Sequence, residues 1–484
     1  MVLLGRVYIS GLIKDGFEIE ADKLFDNPFG NGKLYKTNNI AKWTFEGKLE
    51  VLGNATEYIK KAISKTNVQG SKVKQIQNYD FLKTYDYSKV DKVLERNTVQ
   101  NFKTISKTDV RKYIANSVEL GYLGAHIAYE FLTENTGILY ALIRSKDNIP
   151  SKYRFLQILR FYFGDKFVSK MEERIKVISG DFVTNSTLGT TREDFRDIAS
   201  NVNVVINSGA LVKHFGNKSE FENINVNGPK NIIEFCMKYG KRFLHISTTS
   251  VSGTDKKDAI ENQNVFSEKN LYIGQDFTNI YVTTKYEAEL AILEAIYDGL
   301  DAQILRLGNI TNRYADGVFQ KNVTDNAFAS RLKSFIEIGA FPKYLLEHEI
   351  ELTPVDLASK AIGKILNHSS DCNVFHIMNT MLLPTPELIS TMNSIGIDII
   401  PVSDTLMYDI INGMLSNDDR KSAVSGIIQD LNKDKKLIYT SSTRLDFDFT
   451  EKYLKECGFK WKKLDKVYIT KYMNYFKNIG FIDF

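Results

Sequence analysis

From residue 111 to about residue 310 the apolar positions fall into two alternating textures. Short, continuously apolar runs occur at Ile138–Ile143, Ile175–Ser179, Val202–Asn207, Phe243–Ser247 and Ala302–Leu307. Between them lie longer segments whose apolar residues recur every three or four positions: Gly124–Leu132, Tyr153–Glu173, Phe221–Met237 and Tyr281–Tyr297. A run that is apolar on both faces must be covered on both, whereas a helix with one apolar stripe covers one face. The alternation therefore predicts an α/β fold with a parallel sheet between two helical layers. Right-handed crossovers make that a doubly wound, Rossmann-type sheet. Its first strand, Tyr113–Asn116, is less apolar than its neighbours.

The first hundred residues read differently. Residues 1–62 carry short β-like runs set off by turn signals, such as Val7–Gly11, Asn27–Gly30 and Lys48–Gly53. Residues 63–105 are polar and rich in Lys, Gln and Asn, which reads as a linker with one helix at Ser88–Asn97. The expected organisation is a short β-rich N-terminal fragment over 1–62, a linker over 63–105 and a main body over 106–484. In the main body the Rossmann core takes about 111–310 plus 353–380. A smaller C-terminal subdomain on the substrate side takes about 311–352 and 381–484.

Composition narrows this picture without changing it. A chain of 484 residues with 43% hydrophobic and 25% charged positions is an ordinary globular protein, long enough for about three domain-sized units. With 63 basic against 59 acidic residues the net charge is +4, too balanced to imply a nucleic-acid partner. Three scattered cysteines without a CxxC pair argue against a disulfide framework or a metal site and fit a reducing cytoplasm. No secretory segment at Met1 and no long uncharged apolar run point to export or to a membrane.

Four pieces of the chain carry candidate chemistry. Gly121-Tyr122-Leu123-Gly124 stands before the first predicted helix of the sheet. A glycine turn there lets backbone N–H groups and the helix N-terminus meet a pyrophosphate. The second strand ends at Arg144-Ser145-Lys146, where a basic residue would face a ribose 2′-phosphate and favour NADP over NAD. Tyr281 and Lys285 are one helical turn apart on one face, and an ammonium beside a phenol lowers the phenol's pKa. Ser247-Thr248-Thr249-Ser250 ends the preceding strand, at the edge where ligands of open α/β sheets bind. Thr248, Tyr281 and Lys285 around one crevice can hold a carbonyl oxygen as charge develops on it.

Residues 111–484 resemble the terminal thioester reductase domains of nonribosomal peptide synthetases, members of the extended short-chain dehydrogenase superfamily. The resemblance rests on the order of Gly121–His126, Val177–Asp181, Asn207–Ala210, Asn225–Gly228, Ser247-Thr248, Tyr281 with Lys285, Arg306–Arg313 and Leu352–Asp356. It implies an oxidoreductase that uses NADP(H) to release a carrier-bound acyl or peptidyl thioester as an aldehyde, with a second reduction to an alcohol left open. It further implies that Thr248 and Tyr281 hydrogen-bond the thioester carbonyl while Lys285 holds the nicotinamide ribose. Arg144, with Lys146, would read the 2′-phosphate, and Asp181-Phe182 would lie near the adenine. Asn207-Ser208 and the turn Gly121–Gly124 would line the cofactor cleft, and Gly308-Asn309-Ile310 the nicotinamide side. The tail from Thr450 through Trp461 matches the family's substrate-side segment.

Residues 1–62 resemble the end of an adenylation domain, from Val7–Gly11 to Leu34-Tyr35-Lys36-Thr37, but the family's Thr-Gly-Asp is Thr37-Asn38-Asn39 here. No ATP-dependent activity is expected of this remnant. Residues 63–105 hold no Gly-Gly-x-Ser attachment site, so the acyl carrier protein and its phosphopantetheine thioester are expected in trans. The cofactor turn also departs from the family's Thr-Gly-x-Thr-Gly-x-x-Gly. It reads Ser117-Val118-Glu119-Leu120-Gly121-Tyr122-Leu123-Gly124, with β-branched Val118 where the first glycine turns the chain. Two rival readings stay open beside the reductase. One is a cofactor-impaired remnant or a non-catalytic carrier-docking protein that keeps the fold. The other is a different extended dehydrogenase, such as a nucleotide-sugar epimerase, against which the segment Leu352–Trp461 stands.

Overall fold

The computed structural model describes residues 5–9, 24–26, 33–43, 49–54, 80–107, 112–117, 121–144, 149–212, 217–253, 265–275, 277, 280–416, 420–431 and 444–484. The chain divides into two compact units, Met1–Phe81 and Leu82–Phe484. In the first, strands β1 (Gly5–Ile9), β2 (Leu24–Asp26) and β4 (Leu49–Asn54) all pair antiparallel with the long β3 (Lys33–Trp43).

The second unit is built on seven parallel strands. In chain order they are β5 (Lys112–Ser117), β6 (Ile138–Ile143), β7 (Ile175–Ser179), β8 (Val204–Asn207), β9 (Arg242–Thr248), β10 (Ala302–Leu307) and β11 (Val374–Ile377). Across the sheet they run β11-β10-β9-β8-β5-β6-β7. The order reverses between β5 and β8, as the doubly wound reading requires.

The helices are α1 (Ser88–Leu94), α2 (Tyr122–Glu134), α3 (Ser151–Met171), α4 (Arg192–Asn201), α5 (Gly228–Tyr239) and α6 (Ile280–Tyr297). They continue with α7 (Ala327–Ile338), α8 (Val355–Leu366), α9 (Thr385–Ser394), α10 (Asp404–Leu415), α11 (Asp448–Glu456) and α12 (Lys466–Asn478). On one face of the sheet α2, α3, α8 and α11 bury Phe131, Leu159, Ile362 and Tyr453 against Leu139, Ala141 and Leu305. On the other, α5 and α6 pack on β9, and α1 packs on α6. A second core gathers Phe319, Phe335, Met392, Ile411, Tyr468 and Phe476 into a smaller C-terminal lobe. Among the described residues no helix is long and apolar enough to cross a membrane.

Three expectations need correction. The linker does not run to residue 105. Val90, Val93 and Leu94 are buried, and the buried Asn97 donates to Glu268 O and Val374 O, so this segment belongs to the larger unit. The tail is not wholly on the substrate side either. Tyr453, Leu454, Phe459 and Trp461 enter the core beneath the sheet, and Tyr468 onward enters the C-terminal lobe. Finally, the long helix predicted at Tyr153–Glu173 is broken at Gly164, whose φ of 78° and ψ of 165° only glycine adopts without strain.

Candidate active site

The carboxyl ends of β5 and β8 mark where strand order reverses, and several of the residues expected to hold a cofactor follow strand ends of this sheet. Gly121 is the N-cap of α2, extended at φ −74° and ψ 175°, and no side chain caps this helix start. Its first-turn amides are therefore of the kind that receive a pyrophosphate. Leu123 and Gly124 form that turn. The Tyr122 ring leaves it, because its hydroxyl donates to Val318 O at 2.8 Å and Thr311 O at 3.2 Å, tying α2 to segments beyond the sheet. Val118, Glu119, Leu120 and Lys146 lie outside the described residues.

Arg144 directly follows β6, with its side chain 41% exposed and its guanidinium 4.0 Å from Asp181. Asp181 also accepts from the Val183 amide. Phe182, expected near the adenine, is 2% exposed. Its ring lies so close to Gly228 that a Cβ there would stand 2.4 Å away. Asn231 takes its carbonyl. Phe182 is therefore taken up in packing, while its neighbour Asp181 is part-exposed beside Arg144.

Thr248 is the last residue of β9, and its Oγ1 caps the following turn by accepting from the Ser250 amide at 3.1 Å. The Tyr281 phenol, from the first turn of α6, is hydrogen-bonded with the Thr248 hydroxyl. Burial pushes the phenol up to about 12, and the Thr248 bond offsets this in part. The expected lowering by Lys285 is absent from this ligand-free geometry. Lys285 Nζ turns instead to the sheet, donating to Ile246 O at 2.6 Å and meeting His245 Nε2 at 2.9 Å. Burial brings the Lys285 amine down to about 7. On its far side His245 Nδ1 meets Asn207 Nδ2 at 3.4 Å. Ser208 follows Asn207 at the end of β8.

One turn along α6, Glu289 forms a second buried cluster. Arg306 of β10 grips its carboxylate at 2.7 and 2.9 Å, and Ser247 donates to it at 2.5 Å. Arg306 also bonds Asn270 O and stacks on Phe266 at 4.7 Å.

Beyond β10, Gly308 donates to Ile377 O, and Ile310 pairs with Thr353. The Asn309 amide donates to the Glu351 carboxylate at 2.6 Å, and Thr353 Oγ1 donates to the same group. A Cβ on Gly308 would come within 2.5 Å of that carboxylate, so a side chain here would displace the Glu351 carboxylate. Burial raises the Glu351 carboxyl to about 7. Glu351 and His245 were both missed by sequence reasoning. A histidine in the all-apolar stretch Phe243–Ile246 was the visible signal for one; nothing local signalled the other.

Residues 120–362, half of the chain, match the model of a family of NAD-binding domains described as male sterility protein. Among solved structures, a thiolation-reductase di-domain from an archaeal nonribosomal peptide synthetase shares 28% identity at a TM-score of 0.73. That match covers 84% of this chain and 83% of the other. The aureusimine biosynthetic cluster reductase domain shares the fold at 23% identity and a TM-score of 0.67, covering 82% of this chain and 99% of the other. Glycine betaine reductase of Emericella nidulans is 23% identical over 320 residues, which are 65% of this chain and 24% of that protein. Against the carboxylic acid reductase of Segniliparus rugosus, at 25% identity, the match takes 60% of this chain and 26% of the relative. The chain thus spans about a quarter of the length of these two relatives. With the sheet order, the glycine turn and the Thr248–Tyr281 pair in place, it belongs to the male sterility protein family of NAD-binding domains.

Proposed function

We propose that the chain is an NADPH-dependent reductase that releases an acyl or peptidyl chain from a carrier-bound phosphopantetheine thioester as an aldehyde. The observation that carries this reading is the meeting of the Thr248 and Tyr281 hydroxyls at the carboxyl end of β9. It occurs in a chain 28% identical, over 84% of its length, to a thiolation-reductase di-domain.

Gly121, Leu123, Gly124, Asn207 and Ser208 would hold the dinucleotide across the switch point, with Asp181 at the adenine end and Gly308, Asn309 and Ile310 at the nicotinamide end. Arg144, at the end of β6, supports a 2′-phosphate and hence NADP. When bound, the nicotinamide nucleotide supplies the hydride to the carbonyl carbon. The rest falls to the protein. Thr248 and Tyr281 donate to the carbonyl oxygen, and those bonds strengthen as it gains negative charge. A phenol raised to about 12 stays protonated at neutral pH and can give its proton to that oxygen, completing a hemithioacetal. In the collapse the Tyr281 phenolate takes back the hydroxyl proton, the C=O bond re-forms and the C–S bond breaks, and the departing pantetheine thiolate is protonated from solvent.

The carrier is proposed to come from another chain, because residues 63–105 contain no Gly-Gly-x-Ser site. Residues 1–62 are read as resembling the end of an adenylation domain, with Thr37-Asn38-Asn39 in place of that family's Thr-Gly-Asp. Free, buried Cys236, Cys372 and Cys457 support a cytoplasmic setting.

The test is NADPH consumption with an acyl-loaded carrier protein, comparing the unaltered chain with Tyr281→Phe and Val118→Gly. We expect turnover that Tyr281→Phe lowers by ~10²–10⁴-fold while the fold persists. Turnover that survives Tyr281→Phe would refute the assigned role. NADPH binding found only in Val118→Gly would favour the second reading, a carrier-docking protein whose cofactor turn has been lost.

A further inference from the structure

The buried groups behind Tyr281 form a chain whose hydrogen-bond polarity can be worked out link by link. The Gly209 amide can only donate, and it lies 3.1 Å from one end of the Asn207 side chain, which makes that end Oδ1. The other end is Nδ2, also only a donor, and it faces His245 Nδ1 at 3.4 Å. Asn207 and His245 are direct partners in the parallel register of β8 and β9, so the contact follows from the sheet itself. His245 Nδ1 must then accept, which leaves the ring's proton on Nε2. Nε2 stands 2.9 Å from Lys285 Nζ and donates to it. An ammonium has no lone pair to receive that bond; a neutral amine has one.

The surroundings agree with this polarity. Asn207 and His245 are 0% exposed and Lys285 is 2% exposed. Glu289, one turn along α6, carries its charge into Arg306. Tyr281, one turn back, is bound to Thr248. From β9 the groups facing Lys285 are the His245 ring and the Ile246 carbonyl, and Asn207 of β8 stands behind the ring. Burial disfavours the charged forms of both His245 and Lys285.

We propose that His245 is a positioning residue: the donor chain from Gly209 through Asn207 and His245 holds Lys285 as a neutral amine turned toward the sheet in the ligand-free site. The site must then take up a proton, and the chain must reverse, before Lys285 can serve as a cation beside Tyr281. This rests on Lys285 belonging to the active site proposed above, but its first test needs no turnover.

That test follows the Lys285 Cε resonance with pH, in the ligand-free full chain carrying ¹³C-labelled lysine, assigned with Lys285→Arg. The expected midpoint for the unaltered chain is about 7. His245→Phe removes the donor and should raise the midpoint by ~1 unit or more. Asn207→Asp offers only acceptors, so His245 would donate to it and accept from an ammonium, and the midpoint should rise further. His245→Gln, whose amide can accept from Asn207 and donate to Lys285, should restore it. In turnover the alkaline limb of kcat should move with the midpoint while KM stays put. An unaltered Lys285 titrating near the ordinary lysine value of ~10.4 overturns the proposal. So does a midpoint indifferent to both His245→Phe and Asn207→Asp. A missing reductase activity with the titrations as expected would instead sink the functional reading alone.

Discussion

Lys285 and Glu289 stand one turn apart on α6, 2% and 0% exposed, yet their surroundings treat them in opposite ways. Glu289 has a bidentate guanidinium and a serine hydroxyl, and Arg306 is itself bonded to a backbone carbonyl and stacked on Phe266. Every polar atom of that cluster has a fixed partner, so the charges stay. Lys285 faces a neutral imidazole and one carbonyl, among the described residues no anion lies in bonding distance of it, and burial drives its amine toward neutrality. A charge that serves the fold is closed in with its counter-ion. A charge that serves a ligand is left short of one, so that it can respond when the ligand comes.

The largest effect should come from breaking the closed cluster. Arg306→Met leaves Glu289 buried and unpaired, and removing one partner of a buried pair costs ~3–5 kcal/mol. Chemical denaturation should show that loss, and the double variant Arg306→Met with Glu289→Leu should recover much of it. If Arg306→Met costs no more than an exposed substitution, the cluster is not the closed pair described here.

Lys285→Met probes the open cluster and should act in the other direction. Its folded pKa is lowered, to about 7 from 10.5. As pH falls from ~10 toward 7, the unfolded chain takes up a proton that the folded chain refuses, so stability falls with it. Below 7 both states are protonated and the loss is complete. The methionine variant lacks this loss, but it also forfeits the bonds to His245 and Ile246, which leaves a net gain of about 2 kcal/mol near pH 7. Denaturation midpoints at pH 7 and pH 10 should therefore differ less in the variant than in the unaltered chain, while turnover is abolished. Equal pH dependence in the two proteins would show that Lys285 is charged and comfortable in the fold.

These two clusters also mark where sequence reading succeeded and where it stopped. The places of Thr248, Tyr281 and Lys285 in the fold were legible because each is set by a local rule, the end of a strand or the four-residue period of a helix, while their roles are proposals. The sheet was legible because strands buried on both faces cannot alternate. The Asn207–His245 contact was not, since it depends on which residue of β8 stands opposite His245, and register is a property of two strands. Side-chain direction was hidden for the same reason. Tyr122 and Phe182 lie in the expected segments, but the ring of one is claimed by Val318 O and that of the other by the close approach of Gly228. The buried stripe Val90, Val93 and Leu94 was present at helical spacing within the supposed linker, where a polar composition masked it.

Arg144 supplies the small end of the scale and a control for both clusters. Its partner Asp181 is 4.0 Å away, and the two side chains are 41% and 27% exposed, so water screens the pair. Such pairs contribute at most about 1 kcal/mol, and Arg144→Ala should leave the denaturation midpoint almost unmoved. Its consequence belongs to binding instead. An exposed guanidinium at the end of β6 is free to turn from Asp181 to a more highly charged phosphate, and a bidentate Arg–phosphate contact outweighs a distant carboxylate. Arg144→Ala should therefore weaken NADPH binding by ~10-fold or more while NADH binding changes little, as read by cofactor fluorescence titration. If both cofactors weaken equally, Arg144 shapes the cleft without reading the 2′-phosphate. The contrast would then be simpler than proposed: the Arg306–Glu289 pair is buried in the fold, and the cofactor preference lies elsewhere in the turn after β6.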